Sequence, residues 1–149
     1  MFLFHSLLAS LALLTVANAD VKDCGAGVSK FSVTKLSLDP PNTVVGGQNV
    51  SLVLLYDNNY EVVSGGTATT TLSLNGIPFS PSSEDLCTKI PCPLDMGSHD
   101  GSTWYDFPSG VSGKIVSTVR WKDPSGTELL CLETTLRASL GETRSWWPF

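Results

Sequence analysis

Residues 67–79, TATTTLSLNGIPF, decide the fold class. Ala68, Thr70, Leu72 and Leu74 alternate with Thr67, Thr69, Thr71 and Ser73, a period of two that sends each set to its own face of a strand. The threonines strengthen that reading, because β-branched side chains suit a pleated surface and lose rotamer freedom in a helix. Asn75-Gly76 follows. That dipeptide accepts the two positive φ angles a tight hairpin requires, so Ile77-Pro78-Phe79 begins a return strand.

The rest of the chain repeats this pattern. Residues 28–38 alternate, but the phase slips: Phe31 and Val33 share one face, Leu36 and Leu38 the other. A one-residue slip predicts a bulge or a strand crossing between sheets. Asp39-Pro40-Pro41-Asn42 ends that strand, since proline cannot donate to a ladder. Gly46-Gly47 is a turn, residues 50–56 a strand apolar on both faces, and Asp57-Asn58-Asn59 a second turn. Val62-Val63 leads through Gly65-Gly66 into the opening stretch, and a polar, proline-containing loop runs from its hairpin to Leu94.

Residues 103–107 read as a short aromatic strand, and residues 113–121 as another with Ile115, Val119 and Trp121 on one face. Asp123-Pro124-Ser125-Gly126 is a turn by composition. Residues 128–137 form the last strand, with Leu130, Leu132, Thr134 and Leu136 inside. About seven strands spaced roughly 8–15 residues apart, with no segment of helical period, predict an all-β, two-sheet sandwich of immunoglobulin-like type.

The chain has 149 residues, the length of one domain. Residues 1–19 are expected to be a signal peptide: the apolar run Leu7 to Val16 is too short to span a bilayer and ends in Ala17-Asn18-Ala19, a small-x-small cleavage pattern. The folded domain is expected over 20–140, and 141–149 is a tail bearing Trp146, Trp147 and Phe149. That tail would suit transient contact with a bilayer surface, where aromatics concentrate, or would fold back on an apolar patch. The net charge is −5 and the nine basic residues are scattered, so no nucleic-acid partner is expected. A secreted protein or one of the lysosomal or vacuolar lumen fits the leader, and a monomer is expected.

Four cysteines follow the leader: Cys24, Cys87, Cys92 and Cys131. An even count in a secreted chain implies disulfides, with three possible connectivities. Cys87 with Cys92 is the local choice, across a loop stiffened by Pro91 and Pro93, and it leaves Cys24 for Cys131. The spacing is not that of a zinc site and His99 is the single histidine after the leader, so no metal is expected. Asn49-Val50-Ser51 is a glycosylation sequon, with Asn49 the acceptor.

Taken in order, Asp23-Cys24-Gly25, then Gly76-Ile77-Pro78-Phe79 before Cys87-x4-Cys92-Pro93, then Phe107-Pro108, then Trp121, a turn and Cys131, resemble the ML (MD-2-related lipid-recognition) family. Within it the chain is most similar to the Niemann-Pick type C2 and phosphatidylglycerol/phosphatidylinositol transfer proteins, over about residues 21–138. The resemblance implies a sandwich whose sheets splay at one end to admit lipid, the same cysteine pairing, and a mouth position for Phe79. It departs from sterol carriers of that family in two places. They have a third disulfide after the first strand, where Asp39-Pro40-Pro41-Asn42 has no cysteine, and an aromatic where Ser109-Gly110-Val111-Ser112-Gly113 has none. Sterol and phospholipid are both implied as cargo.

A carrier needs a dry apolar cavity, since each buried CH₂ gains about 0.8 kcal/mol. The candidate lining from the early strands is Phe31, Val33, Leu52, Leu54, Leu72 and Leu74, with Phe79 beside the hairpin. From the later ones it is Tyr105, Phe107, Val111, Ile115, Val119, Trp121, Leu130 and Leu132. Each of these residue types equally suits simple core packing, Trp121 above all, while Trp104 and Tyr105 would suit an entrance. No cofactor beyond a bound lipid is expected. Catalysis is not expected either: His99 lies in Gly97-Ser98-His99-Asp100-Gly101, read as a solvated loop, and neighbours along a chain do not build a nucleophile–base–acid site. The expected function is intermembrane lipid carriage. The alternatives are a recognition module of the same fold, binding a protein or a microbial surface lipid, and an adhesion domain with a filled core.

Overall fold

A computed structural model of the chain describes residues 20–41, 43–79, 81–107 and 109–140, without the side chains of Thr103 and Tyr105. The expected signal peptide, residues 1–19, and the aromatic tail, residues 141–149, therefore lie outside the described residues. Ten strands run through them: β1 Asp20–Asp23, β2 Phe31–Asp39, β3 Thr43–Val45, β4 Asn49–Asn58, β5 Thr67–Leu74, β6 Ile77–Pro78, β7 Ser82–Asp85, β8 Gly97–Asp106, β9 Gly113–Lys122 and β10 Glu128–Ser139.

They form two sheets. The larger has the order β1-β10-β9-β5-β6, with β3 added in parallel to β10 and β7 antiparallel to β5; the smaller is β2-β4-β8. The long pairings are antiparallel, so each strand turns one face to the opposite sheet and one to solvent. The opening stretch folds as read: Asn75 (φ 51°) and Gly76 (φ 83°) turn β5 into β6. The Asn75 side chain also accepts from the Lys114 N–H at 2.8 Å, tying the hairpin to β9. The phase slip in β2 is a bulge between Val33 and Lys35, which carries Phe31 and Val33 and then Leu36 and Leu38 to the same interior.

Four local expectations need correction. Residues 97–101 are strand, not loop: β8 pairs with β4 along its whole length, from Gly97 opposite Asn58 to Asp106 opposite Asn49. Asn58 is not in a turn but is buried at the end of β4, its amide donating to the carbonyls of Glu61, Leu94 and Asp95 and its oxygen accepting from the Tyr60 N–H. The run from Pro81 to Leu94 is not a plain loop: it holds a short strand, β7, and a 3-10 turn, and it buries Leu86, Ile90 and Leu94. A further short strand, β1, precedes the expected first one and pairs with β10.

The interior divides in two. One cluster gathers Phe31, Tyr56 and Trp121 with Leu86, Leu94 and Leu130. Phe31 stacks on Tyr56 at 5.4 Å between ring centroids. The other gathers Leu38, Val44, Val50, Ile115, Leu136 and Ala138. Disulfides join Cys24 to Cys131 and Cys87 to Cys92.

Candidate functional site

Between the two sheets lies a cavity of about 340 Å³. Its wall from the larger sheet comprises Leu72 and Leu74 of β5, Ile115, Ser117 and Val119 of β9, and Thr134 and Leu136 of β10. The smaller sheet contributes Leu38, Val50 and Leu52, and Phe79, Phe107 and Val111 complete the ring. The polar members are Ser73, Asp106, Ser117 and Thr134; every other lining residue is apolar.

Strand parity and side-chain size explain why space remains here. The inward residues of β9 are Ile115, Ser117, Val119 and Trp121, and those of β10 opposite them are Leu136, Thr134, Leu132 and Leu130. Trp121 with Leu130 fills one end, Ile115 with Leu136 the other, and the small pair Ser117 and Thr134 lies between. Large side chains close the ends, and the small pair leaves room at the middle.

The opening lies along one edge of the sandwich. At the other edge, β2 of the small sheet meets β1 and β10 of the large one. On the β5–β6 side the lining is partly exposed, Leu72 by 38% and Phe79 by 54%, and Ile77 beside them by 69%. Asp106 and Phe107, at the end of β8, face that edge from the small sheet's border strand.

Of the residues expected to line a ligand site, Leu72, Phe79, Phe107, Val111, Ile115 and Val119 surround this cavity, as do Leu52 and Leu74. Phe31, Leu54, Trp121, Leu130 and Leu132 sit in the filled cluster, with Val33 packed against it. Tyr105 stands opposite Val50 in the β4–β8 ladder, and its side chain is outside the described set. Leu38, Val50 and Leu136 line the cavity although they are not in the candidate lining, Leu136 reading only as an inward residue of the last strand. Their parity was the available signal, since each is two residues from a strand neighbour on the same face. Ser117 and Thr134 could be found only by the same count, because nothing in their chemistry suggests an apolar interior.

Asn49 is exposed at the start of β4. His99 lies opposite Tyr56, ring centroids 5.6 Å apart, with Nε2 2.8 Å from the Asp95 carbonyl. Burial, with the nearby Asp100 carboxylate adding to it, pushes the Tyr56 phenol up to about 12. The Ser98 hydroxyl donates to Asp57 at 2.6 Å, and strand alternation directs Ser98 and Asp100 away from the face that holds His99. These neighbours along the chain are thus separated in space. Among the described residues no group of three or more His, Cys, Asp or Glu side chains converges as metal ligands would.

Comparison with known proteins bears on the same region. Residues 18–138 match the family model for the ML domain. A proposed phosphatidylglycerol/phosphatidylinositol transfer protein of Dictyostelium discoideum is 27% identical over 143 residues, 91% of this chain and 99% of that protein. Among solved structures, a Niemann-Pick type C2 protein from the Japanese carpenter ant superposes with a TM-score of 0.65 at 10% identity, covering 80% of this chain and 99% of that one. Chicken MD-1, complexed with lipid IVa, superposes with a TM-score of 0.52 at 17% identity, covering 82% and 90%. At these identities the two structures show the shared sandwich fold.

Proposed function

The chain belongs to the ML-domain family, a family of lipid-binding and lipid-transfer proteins, and on that premise we propose that it is a lipid carrier. It takes a sterol or phospholipid into the space between its sheets and moves it between membranes. The observation that carries this reading is the apolar cavity of about 340 Å³, open along the β5–β6 and β8 edge. A core built for stability alone is packed to crystal density with few voids, so a space of this size and lining supports a binding role. It falls at the small end of the range usual for ligand sites, about 300–1,000 Å³. A bulkier cargo spreads the sheets at the open edge.

The carrier works by burial, not by covalent chemistry. Each CH₂ transferred from water into the cavity gains about 0.8 kcal/mol, and Phe79 and Val111 are proposed to hold the cargo at the mouth. The exposed Ile77 and Phe79 beside the opening support transient contact with a bilayer during exchange. Two disulfides support an extracellular or lumenal place of work, where thiols stay oxidised. Exposure of Asn49 supports its glycosylation there.

The test is native mass spectrometry of the protein secreted from a eukaryotic host, followed by lipid extraction. A co-purifying lipid of defined mass is expected, and its identity decides sterol against phospholipid. A lipid-free protein that also fails to take up fluorescent sterol or phospholipid would overturn the carrier reading in favour of surface recognition.

A further inference from the structure

The cavity contains a polar step that an aliphatic cargo does not use. Leu72, Ser117 and Thr134 occupy one rung of the larger sheet: Leu72 pairs with Ser117 across β5–β9, and Ser117 with Thr134 across β9–β10. All three line the cavity. The rung runs inward from the open edge. Leu72 is 38% exposed, Ser117 half-buried and Thr134 only 8% exposed. With strands about 4.8 Å apart, Ser117 lies about 5 Å inside Leu72 and Thr134 about 10 Å inside.

Among the described residues no hydrogen bond joins the Ser117 or Thr134 hydroxyl to another side chain. The Thr134 hydroxyl is therefore a buried donor and acceptor facing an apolar space, an arrangement that costs stability unless something occupies it. Valine would fill the same volume at 134 without that cost. We propose that Ser117 and Thr134 form a hydrogen-bonding subsite for an uncharged oxygen, a hydroxyl or carbonyl, carried on the buried body of the lipid about 5–10 Å from the mouth. Two adjacent hydroxyls donate and accept but bring no charge, so they suit a neutral oxygen rather than a phosphate or carboxylate. This inference rests on the carrier reading and deepens it. It narrows the cargo from lipids at large to those with a polar atom inside the apolar portion.

The experiment measures binding of stearate and of a panel of monohydroxystearates that move one hydroxyl along the chain, for the intact protein and for Ser117→Ala/Thr134→Val. One or two positional isomers are expected to bind the intact protein about fivefold to tenfold more tightly than stearate, the value of one net hydrogen bond. The double variant is expected to bind stearate at least as well and to lose the preference. The unliganded double variant should also melt no lower than the intact protein, because it removes hydroxyls that, among the described residues, bond to no other side chain. Equal binding of stearate and every isomer by the intact protein overturns the subsite while leaving the carrier reading standing. So does a preference that survives in the double variant. Failure to bind stearate, sterol or phospholipid at all overturns both.

Discussion

The indole of Trp121 meets the ring of Tyr56 edge-on, centroids 5.6 Å apart and planes inclined at 79°, and this contact joins the two sheets where the cavity ends. Trp121 comes from β9 and Tyr56 from β4, so the pair sets the spacing of the sandwich at its filled end. Replacing Trp121 by Ala should cost about 3–5 kcal/mol, as for other large buried aromatics, and should extend the cavity into the Phe31–Tyr56 cluster. Urea denaturation checks the first expectation. A loss below about 1 kcal/mol, the level of a minor packing change, would show that the sheets hold their spacing without it.

Filling the cavity separates stability from binding. Val119 is half-buried on the β9 wall and faces the empty space. Added volume in a packed core usually costs about 1–3 kcal/mol, but here it enters a void. Val119→Trp is therefore expected to melt within a few degrees of the intact protein and to lose uptake of fluorescent sterol or phospholipid. Undiminished uptake with one-to-one stoichiometry would place the lipid elsewhere.

Much of this arrangement was readable along the chain, and the exceptions have physical causes. The hairpin at Asn75-Gly76 and the β2 bulge were readable because each depends on local backbone geometry and side-chain alternation. Leu86, Ile90 and Leu94 were not, because they are buried by a segment whose prolines and polar residues give it no period. Asn58 read as a turn residue because its burial depends on three carbonyls, two of them more than thirty positions away. The candidate lining was half legible. Parity identifies which side chains point inward, but whether an inward residue meets a neighbour or a void depends on what stands on the opposite sheet. Phe31 and Ile115 both point inward, and only the second reaches the cavity.

Phe79 should matter for cargo and little for folding. It is 54% exposed and belongs to neither core cluster, yet it lines the mouth. Phe79→Ala is expected to change the unfolding free energy by no more than about 0.5 kcal/mol, as at other exposed positions. It should weaken binding of a fluorescent lipid severalfold. Titration and thermal melting on the same sample check both, and unchanged affinity would remove Phe79 from the site.

The two disulfides should differ in worth. Cys24–Cys131 spans 107 positions and Cys87–Cys92 spans 5. The entropy withdrawn from the unfolded chain scales with the logarithm of loop length, giving about 5 kcal/mol for the first and about 2 kcal/mol for the second. Paired serine replacements at 24 and 131 are expected to leave the protein largely unfolded or far less stable, while those at 87 and 92 give a folded, moderately weakened one. Chemical denaturation of the two double variants checks the order. Equal losses would mean that native-state contacts around the short loop, and not chain entropy, set its value.

The β9–β10 turn gives the fold an acid-sensitive point. The Asp123 carboxylate accepts from the Ser125 hydroxyl at 2.6 Å and from the N–H groups of Ser125 and Thr127 at 2.8 and 2.9 Å. The Ser125 hydroxyl leads in holding Asp123 below its ordinary value of 3.8; burial opposes it, and the backbone N–H groups of Thr127 and Ser125 add to the lowering. A carboxylate depressed in the folded state stabilises it fully above the unfolded value and loses that contribution as pH falls through the folded one. Asp123→Asn keeps the acceptor oxygen and removes the charge. The melting temperature of the intact protein should therefore exceed that of the variant at neutral pH, with the gap constant down to about pH 4 and closing below it, where both side chains are neutral. A gap that stays constant through the acid range would mean that the Asp123 charge contributes nothing to holding the turn.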